Sequence, residues 1–397
     1  MNELVALRTK TSKSYQGEDG RITSVFNNYP IHYHKDGKWE ETNPYLVSGK
    51  TAYTCDTAPI KVEIPKDIAG KFDITTSLGD KIGIKYLGGR GESISKSKNI
   101  VKSSLWTNAS LNIINLGSSV KDIITLTEQG HPNSFSFDID TDLDCKLSRG
   151  NIEFFKNKVF VGKLCRPFIE DVKNQKDRFC KVTQSGNRFT FTLPSLKELE
   201  YPIVIDPTYN EGQSTDDCDE NAGTSIDLTS LNLHLGRSSS INWNNGLRFN
   251  NITIPQGSTI NSAVISFKAR YDQTNTTVDI DYWGDDVDDA STFSTYTDYD
   301  NRTKTTATTS QTFGAWTANS TYSSTELKTI VQEIVNRGSW SSGNSIAILT
   351  SRKTTWYVQQ PYSYDYSSAN APYIVITHTP PAGGGGNMTL NTKFWGA

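Results

Sequence analysis

The chain has 397 residues, with 40 basic against 43 acidic side chains and a formal net charge of −3, which is length for two or three domains that each bury a core without staples. No basic stripe runs along it, which argues against a nucleic-acid partner, because phosphate binding needs clustered Lys and Arg. Its 18 Tyr, 16 Phe and 8 Trp beside only 2 Met, with abundant Thr, Ser and Asn, are the palette of pleated surfaces and turns.

The opening stretch MNELVALRTKTSKSYQGEDG has no apolar core of the kind a secretory signal needs, and no later run is long enough to span a membrane. The expectation is a protein made in the cytoplasm and released inside a particle. Cys55, Cys145, Cys165, Cys180 and Cys218 are odd in number and lack a C-x-x-C pair, so free thiols are expected and a zinc site is not.

Residues 1–205 read as a first β-rich domain. Pro30 to His34, the turn Lys35-Asp36-Gly37-Lys38 and Trp39 give a hairpin signal. From Asn133 to Cys145, Phe135, Phe137, Ile139, Thr141, Leu143 and Cys145 alternate with Ser136, Asp138, Asp140, Asp142 and Asp144, so one face is buried and the other acidic. Arg188 to Leu193 returns to alternation, and the block closes on YPIVIDPT, Tyr201 to Thr208. That closing string, after D-G-x-W near the start and an amphipathic strand near the middle, resembles the β-rich region preceding repeats in YD-repeat-type surface proteins.

Residues 206–225 are polar and turn-rich and are expected as a linker. A second domain then spans 226–379. Leu247-Arg248-Phe249, followed by I-P-x-G-x-x-I from Ile254 and the strand Ala263 to Phe267, resembles the DNRLRE-type β-sandwich domains of bacterial surface and phage virion proteins. The resemblance implies a jelly-roll-like fold akin to carbohydrate-binding modules. Within it, Leu327, Ile330, Val331, Ile334 and Val335 fall on one helical face, with Ser323 and Glu326 in capping-box spacing and Gly338 after the last turn. Residues 380–397 are Pro380-Pro381, four glycines, and a peptide whose Leu390, Phe394 and Trp395 are expected to dock on a partner subunit.

The fold expected is therefore all-β: two β-sandwich or jelly-roll-like domains in tandem, the second carrying one helix across the sandwich, plus a Gly-tethered C-terminal peptide. Catalytic signals are absent. His32, His34, His131, His234 and His378 lack a partner motif, and no G-x-S-x-G, H-E-x-x-H or P-loop occurs. No cofactor is expected beyond a candidate Ca2+ loop at Asp285, Asp286, Asp288 and Asp289, to be weighed against a solvated turn. The glycan-binding candidates are Trp356, Tyr357, Tyr362, Tyr364 and Tyr366, rings that could stack on sugar faces or equally belong to the core.

These features converge on a non-enzymatic structural protein of a phage virion surface, such as a fibre, head decoration or tail-associated component. Its expected partners are other virion proteins or copies of itself, and a host surface glycan. The rival is a bacterial extracellular or cell-surface carbohydrate-binding adhesin, and the third reading is a glycan hydrolase with an unrecognised carboxylate pair.

Overall fold

The structure, a computed structural model, describes residues 1–67, 69–89, 94–171, 178–211, 216–238, 240–274, 277–353 and 356–381. The alternating sequence patterns become antiparallel sheets stacked in two sandwiches, the layered arrangement that buries one face of each sheet. In the first sandwich one sheet runs in the order Lys181–Ser185, Arg188–Thr192, Ser134–Asp140, Lys81–Tyr86, Lys71–Thr75, Lys61–Pro65, Ala52–Cys55, Val47–Ser48. Facing it, the order is Ile94–Ser97, Ile100–Trp106, Ala109–Asn115, Ser119–Leu126, Thr208–Glu211, Val159–Leu164, Asn151–Lys156, Asp144–Ser148.

Pairing of Phe135 with Phe191 and Phe137 with Phe189 puts four buried rings on the inner face. The outer face of the same ladder pairs Ser136 with Thr190 (2.7 Å) and Asp138 with Arg188. The strand ends at Asp140, and Asp144–Ser148 joins the other sheet, so the alternation seen from Asn133 to Cys145 belongs to two strands.

The second sandwich draws on both ends of the chain. One sheet is Asn2–Glu3, Ser12–Gln16, Ile22–Asn27, Tyr373–Thr379, Thr259–Lys268, Thr321–Ser323. Residues 2–27, expected with the first domain, are thus hydrogen-bonded into the second. Its facing sheet is Ile226–Asp227, Asp217–Asn221, Ile241–Phe249, Ile346–Arg352, Val278–Asp285, Lys304–Phe313, flanked by Leu235–Ser238 and Val358–Gln359. In Ile346–Arg352, Ile346 and Ile348 face the inter-sheet core, whereas Ala347 and Leu349 pack under Phe293 and Tyr299 on the other side. Burial on both faces is why that strand reads as an unbroken apolar run.

Two α-helices occur among the described residues, α1 at Tyr296–Asp300 and α2 at Lys328–Val335. The sequence pattern anticipates α2; α1, a short turn capped by Thr295 (Asp298 N to Thr295 Oγ1, 3.0 Å), covers the outer face of the second sheet and carries buried Tyr299. Helix α2 closes the open side of the sandwich, with Ile330, Val331, Ile334 and Val335 inside. Gly284 admits it: a Cβ there would lie 2.7 Å from Ile334 Cδ1.

The capping box is not formed. Ser323 is in a strand, and Glu326 instead accepts from Ala263 N (2.6 Å), Ser262 Oγ (2.8 Å) and Lys328 N (3.0 Å). On the opposite side Glu333 accepts from Thr306 N (2.8 Å) and Ala307 N (2.7 Å). Glu326 just before the helix and Glu333 within it therefore satisfy strand N–H groups left free by the neighbouring strands.

The expected linker at 206–225 is also corrected. Thr208–Glu211 completes the first sandwich and Asp217–Asn221 enters the second, with Asp217, Cys218, Asp219 and Glu220 all buried. Polar composition misleads here because these carboxylates are hydrogen-bonded inside. No helix of the described residues is long and apolar enough to cross a membrane.

Candidate functional site

The two sandwiches meet along a seam built from charged groups. Lys163, on a central strand of the first, is ion-paired with Asp365 of the second; beside them, within the first, Lys121 pairs with Asp206. Tyr366 lies between two cations, Lys121 Nζ at 4.6 Å and the Arg270 guanidinium at 4.1 Å from the ring centre. Its hydroxyl donates to Glu170 Oε2 (3.2 Å), which also receives Arg270 (Oε1, 3.0 Å). Desolvation pushes the Asp217 carboxyl well up from its ordinary value, with the nearby Asp365 charge acting the same way. Burial likewise pushes the Cys165 thiol up to about 12, and all five cysteines are unbridged.

Above this floor the seam opens into a pocket of about 290 Å³. From the first sandwich come Arg149, Asn151, Lys163, Cys165, Arg166 and Phe179; from the second come Asp227, Thr229, Ser230, Leu231, Asn232, His234 and Asp365. Gly150 at φ +89° makes the turn that presents Arg149, and a Cβ there would sit 2.5 Å from Arg166 Cδ. Arg166 lies over the Phe179 ring at 4.8 Å and donates from Nε to Cys180 O (3.1 Å). The terminal nitrogens of Arg166 and Arg149 bond no described residue, so two guanidinium groups face the opening.

The opposite wall holds a histidine with a carboxylate partner, which sequence spacing did not reveal. His234 Nδ1 donates to Asp219 Oδ2 (2.6 Å), and its ring stacks on Trp243 at 4.8 Å. Asp219 Oδ1 accepts from His234 N (2.9 Å) and Asn245 Nδ2 (2.5 Å). Since Nδ1 is the donor, Nε2 is an acceptor, and Asn232 Nδ2 donates to it at 3.1 Å. The imidazole is thereby fixed at both nitrogens. The pocket can bind hydroxyls through amide and hydroxyl groups, an anion through its arginines, and a ring face beside Phe179.

The five aromatic candidates divide. Trp356 and Tyr357 are exposed, at 70% and 52%, with the Arg237 guanidinium on Trp356 at 3.9 Å. Tyr362 and Tyr364 are buried, and Tyr366 is held in the seam, stacked on Tyr362 at 5.1 Å. Only Trp356 and Tyr357 present surface to a ligand.

The candidate calcium loop is occupied by protein donors. Asp285 pairs with Arg302, Asp286 and Asp288 with Arg337, and Asp289 accepts from Ser345 N. Arginines hold three of the carboxylates, and the four are divided among Arg302, Arg337 and the Ser345 N–H rather than converging on one centre. Glu3, His32 and Glu41 bring ligand atoms within 4.8 Å of one another, but Arg8 and Lys13 already neutralise the two glutamates. Leu390, Phe394 and Trp395 lie outside the described residues.

No protein-family model matches the chain. It is 23% identical over 456 aligned residues to the tRNA nuclease WapA of Bacillus subtilis (strain 168), covering 96% of this chain and 18% of that protein; the chain thus spans under a fifth of that relative's length. Among solved structures, the exo-β-1,3-galactanase of Phanerochaete chrysosporium is 8% identical over 94% of this chain and 95% of its own, with a TM-score of 0.19. The N-terminal domain of the Streptococcus gordonii adhesin Sgo0707 is 8% identical over 91% and 86%, with a TM-score of 0.14. The expectation of a non-enzymatic protein is corrected by these findings: the curated relative that aligns with nearly the whole chain is itself named for a nuclease activity.

Proposed function

We propose that the chain recognises a saccharide in the seam pocket, within a bacterial surface or extracellular protein. One observation carries this reading: two guanidinium groups, whose terminal nitrogens bond no described residue, line a cavity of about 290 Å³ together with a ring and a wall of hydroxyls and amides. Sugar sites combine an apolar face with a few converging polar groups. The alignment with a bacterial protein supports the bacterial rival over the virion placement. A polynucleotide fits the pocket less well, because three cations line it, one already paired with Asp365, and phosphate tracking needs a longer basic path.

A glycan array followed by calorimetry on the full chain tests the proposal. Binding of one glycan class that weakens about tenfold in Arg166→Ala supports it. Failure of every glycan to bind, or equal binding by that variant, removes the seam as the site.

A further inference from the structure

A second cavity lies beside the hairpin His32–Lys35 with Lys38–Glu41, which pairs with no other strand among the described residues. The turn residues Asp36 and Gly37 both take positive φ, the backbone a two-residue hairpin needs. An isolated hairpin is marginal by itself, and this one is anchored where Ile31 N and His32 N donate to Lys10 O (2.9 and 3.2 Å). Between the hairpin, Lys10 and the loops at Ala58 and Thr75 is a space of about 300 Å³.

The charge of its lining is one-sided, the Glu3 and Glu41 carboxylates near His32 being paired with Arg8 and Lys13. Lys10 and Lys61 line it, no carboxylate does, and neither lysine is ion-paired with a described residue. Trp39 supplies a half-buried ring whose position is braced edge-on by His34 at 5.2 Å. At the back is His32, fully buried, with Nδ1–H donating to Thr9 O at 2.6 Å. A carbonyl can only accept, so Nε2 is left as a lone-pair acceptor. That atom is buried and has no hydrogen-bond partner among the described residues, a cost that a ligand hydroxyl would relieve.

We infer that this cavity is a second, anion-selective saccharide site: Lys10 and Lys61 take a carboxylate or phosphate on the sugar, Trp39 meets the ring face, and a sugar hydroxyl donates to His32 Nε2. Two lysines beside a space of about 300 Å³ suit one charged unit rather than a polyanionic strand. The site is separate from the seam pocket and shares no lining residue with it.

The test titrates the full chain with a uronate oligosaccharide, a phosphate-bearing one and a neutral one of equal length, read by calorimetry and tryptophan fluorescence. At least one charged oligomer is expected to bind about tenfold more tightly than the neutral one. The two charged arms identify which anion is used. Lys10→Gln with Lys61→Gln is expected to erase the preference and Trp39→Ala to abolish binding at this site. A melting curve for each variant separates lost binding from lost folding, and Trp39→Phe retains a ring if Trp39→Ala fails to fold. Equal affinity for charged and neutral oligomers, no binding, or a preference that survives loss of both lysines overturns the inference. A preference erased by Arg166→Ala alone places the anion at the seam, which overturns this site and leaves the earlier proposal standing.

Discussion

Lys163 of the first sandwich and Asp365 of the second form an ion pair across the seam, with side chains only 5% and 2% exposed. Desolvating two charges is repaid only when both are present; removing one leaves the other buried without its counter-ion. Asp365→Ala is therefore expected to destabilise the chain by about 3–5 kcal/mol, whereas Lys163→Met with Asp365→Leu costs far less. Urea unfolding of both variants checks this, and equal losses would show that the pair's charge is not what holds the seam.

His378 should make the second sandwich acid-sensitive. It sits on the shared strand Tyr373–Thr379, between Ile22 and Ile260, with both ring nitrogens buried and unpartnered among the described residues. Burial lowers its pKa from 6.5 to about 4, so the unfolded chain takes up a proton before the folded one does. Stability is fully present above pH 6.5 and falls as pH drops toward 4, by up to roughly 3 kcal/mol for this group. Buried Asp122 and Asp217 are shifted upward and act in the opposite direction, so the measurement is the difference between wild type and His378→Phe. Parallel stability curves from pH 7 to pH 4 would remove the histidine from the account.

The aromatic stretch from Trp356 to Tyr366 should behave as two unlike halves. Trp356→Ala changes an exposed side chain and is expected to move stability by less than about 0.5 kcal/mol. Tyr366→Ala removes a ring packed against Phe168, Lys121 and Arg270 and is expected to cost about 3 kcal/mol or more. Thermal melts of the two variants decide whether this division holds.

That division shows how much was readable beforehand. The alternation of Phe135, Phe137, Phe189 and Phe191 specifies a buried face through local period alone, and it appears in the sheets as expected. Leu327 to Val335 likewise announces its apolar face. What alternation cannot convey is which distant strands pair: Ile22–Asn27 lies beside Tyr373–Thr379, a partnership set by long-range packing. Rings in core and rings in solvent also look alike in a tyrosine-rich run. At the site, Asp219 on the strand Asp217–Asn221 and His234 in the loop before Leu235–Ser238 are 15 residues apart, so no short motif joins them, and Arg149 and Arg166 become neighbours only through the turn at Gly150. The acidic stretch from Asp216 to Glu220 reads as a linker by composition, because buried carboxylates with partners are indistinguishable in sequence from solvated ones.

Arg337 should govern the Asp286 to Asp289 loop in place of a metal. Its guanidinium pairs with Asp286 and with Asp288 (3.0 Å) at about one-third exposure. Solvent screening limits such a pair, so Arg337→Ala is expected to cost about 1 kcal/mol. Millimolar calcium should leave the wild-type melting temperature unchanged. A calcium-dependent rise would mean that these carboxylates converge on an ion after all.

Gly150 offers the most selective handle on the seam pocket, because it positions a binding residue without itself facing the ligand. Its φ of +89° is costly for any residue with a Cβ, and that Cβ would lie 2.5 Å from Arg166 Cδ and 2.8 Å from Cγ. Backbone strain should lower stability by roughly 1–2 kcal/mol, which leaves the fold intact at ambient temperature. The larger effect falls on Arg166, which must leave the Phe179 ring to make room. Gly150→Ala is therefore expected to reproduce most of the affinity loss of Arg166→Ala, and the two changes together should lose little more than either alone. Calorimetric titration of the single and double variants with the bound saccharide measures this. Additive losses would mean that Gly150 acts on the pocket by a route other than the seat of Arg166.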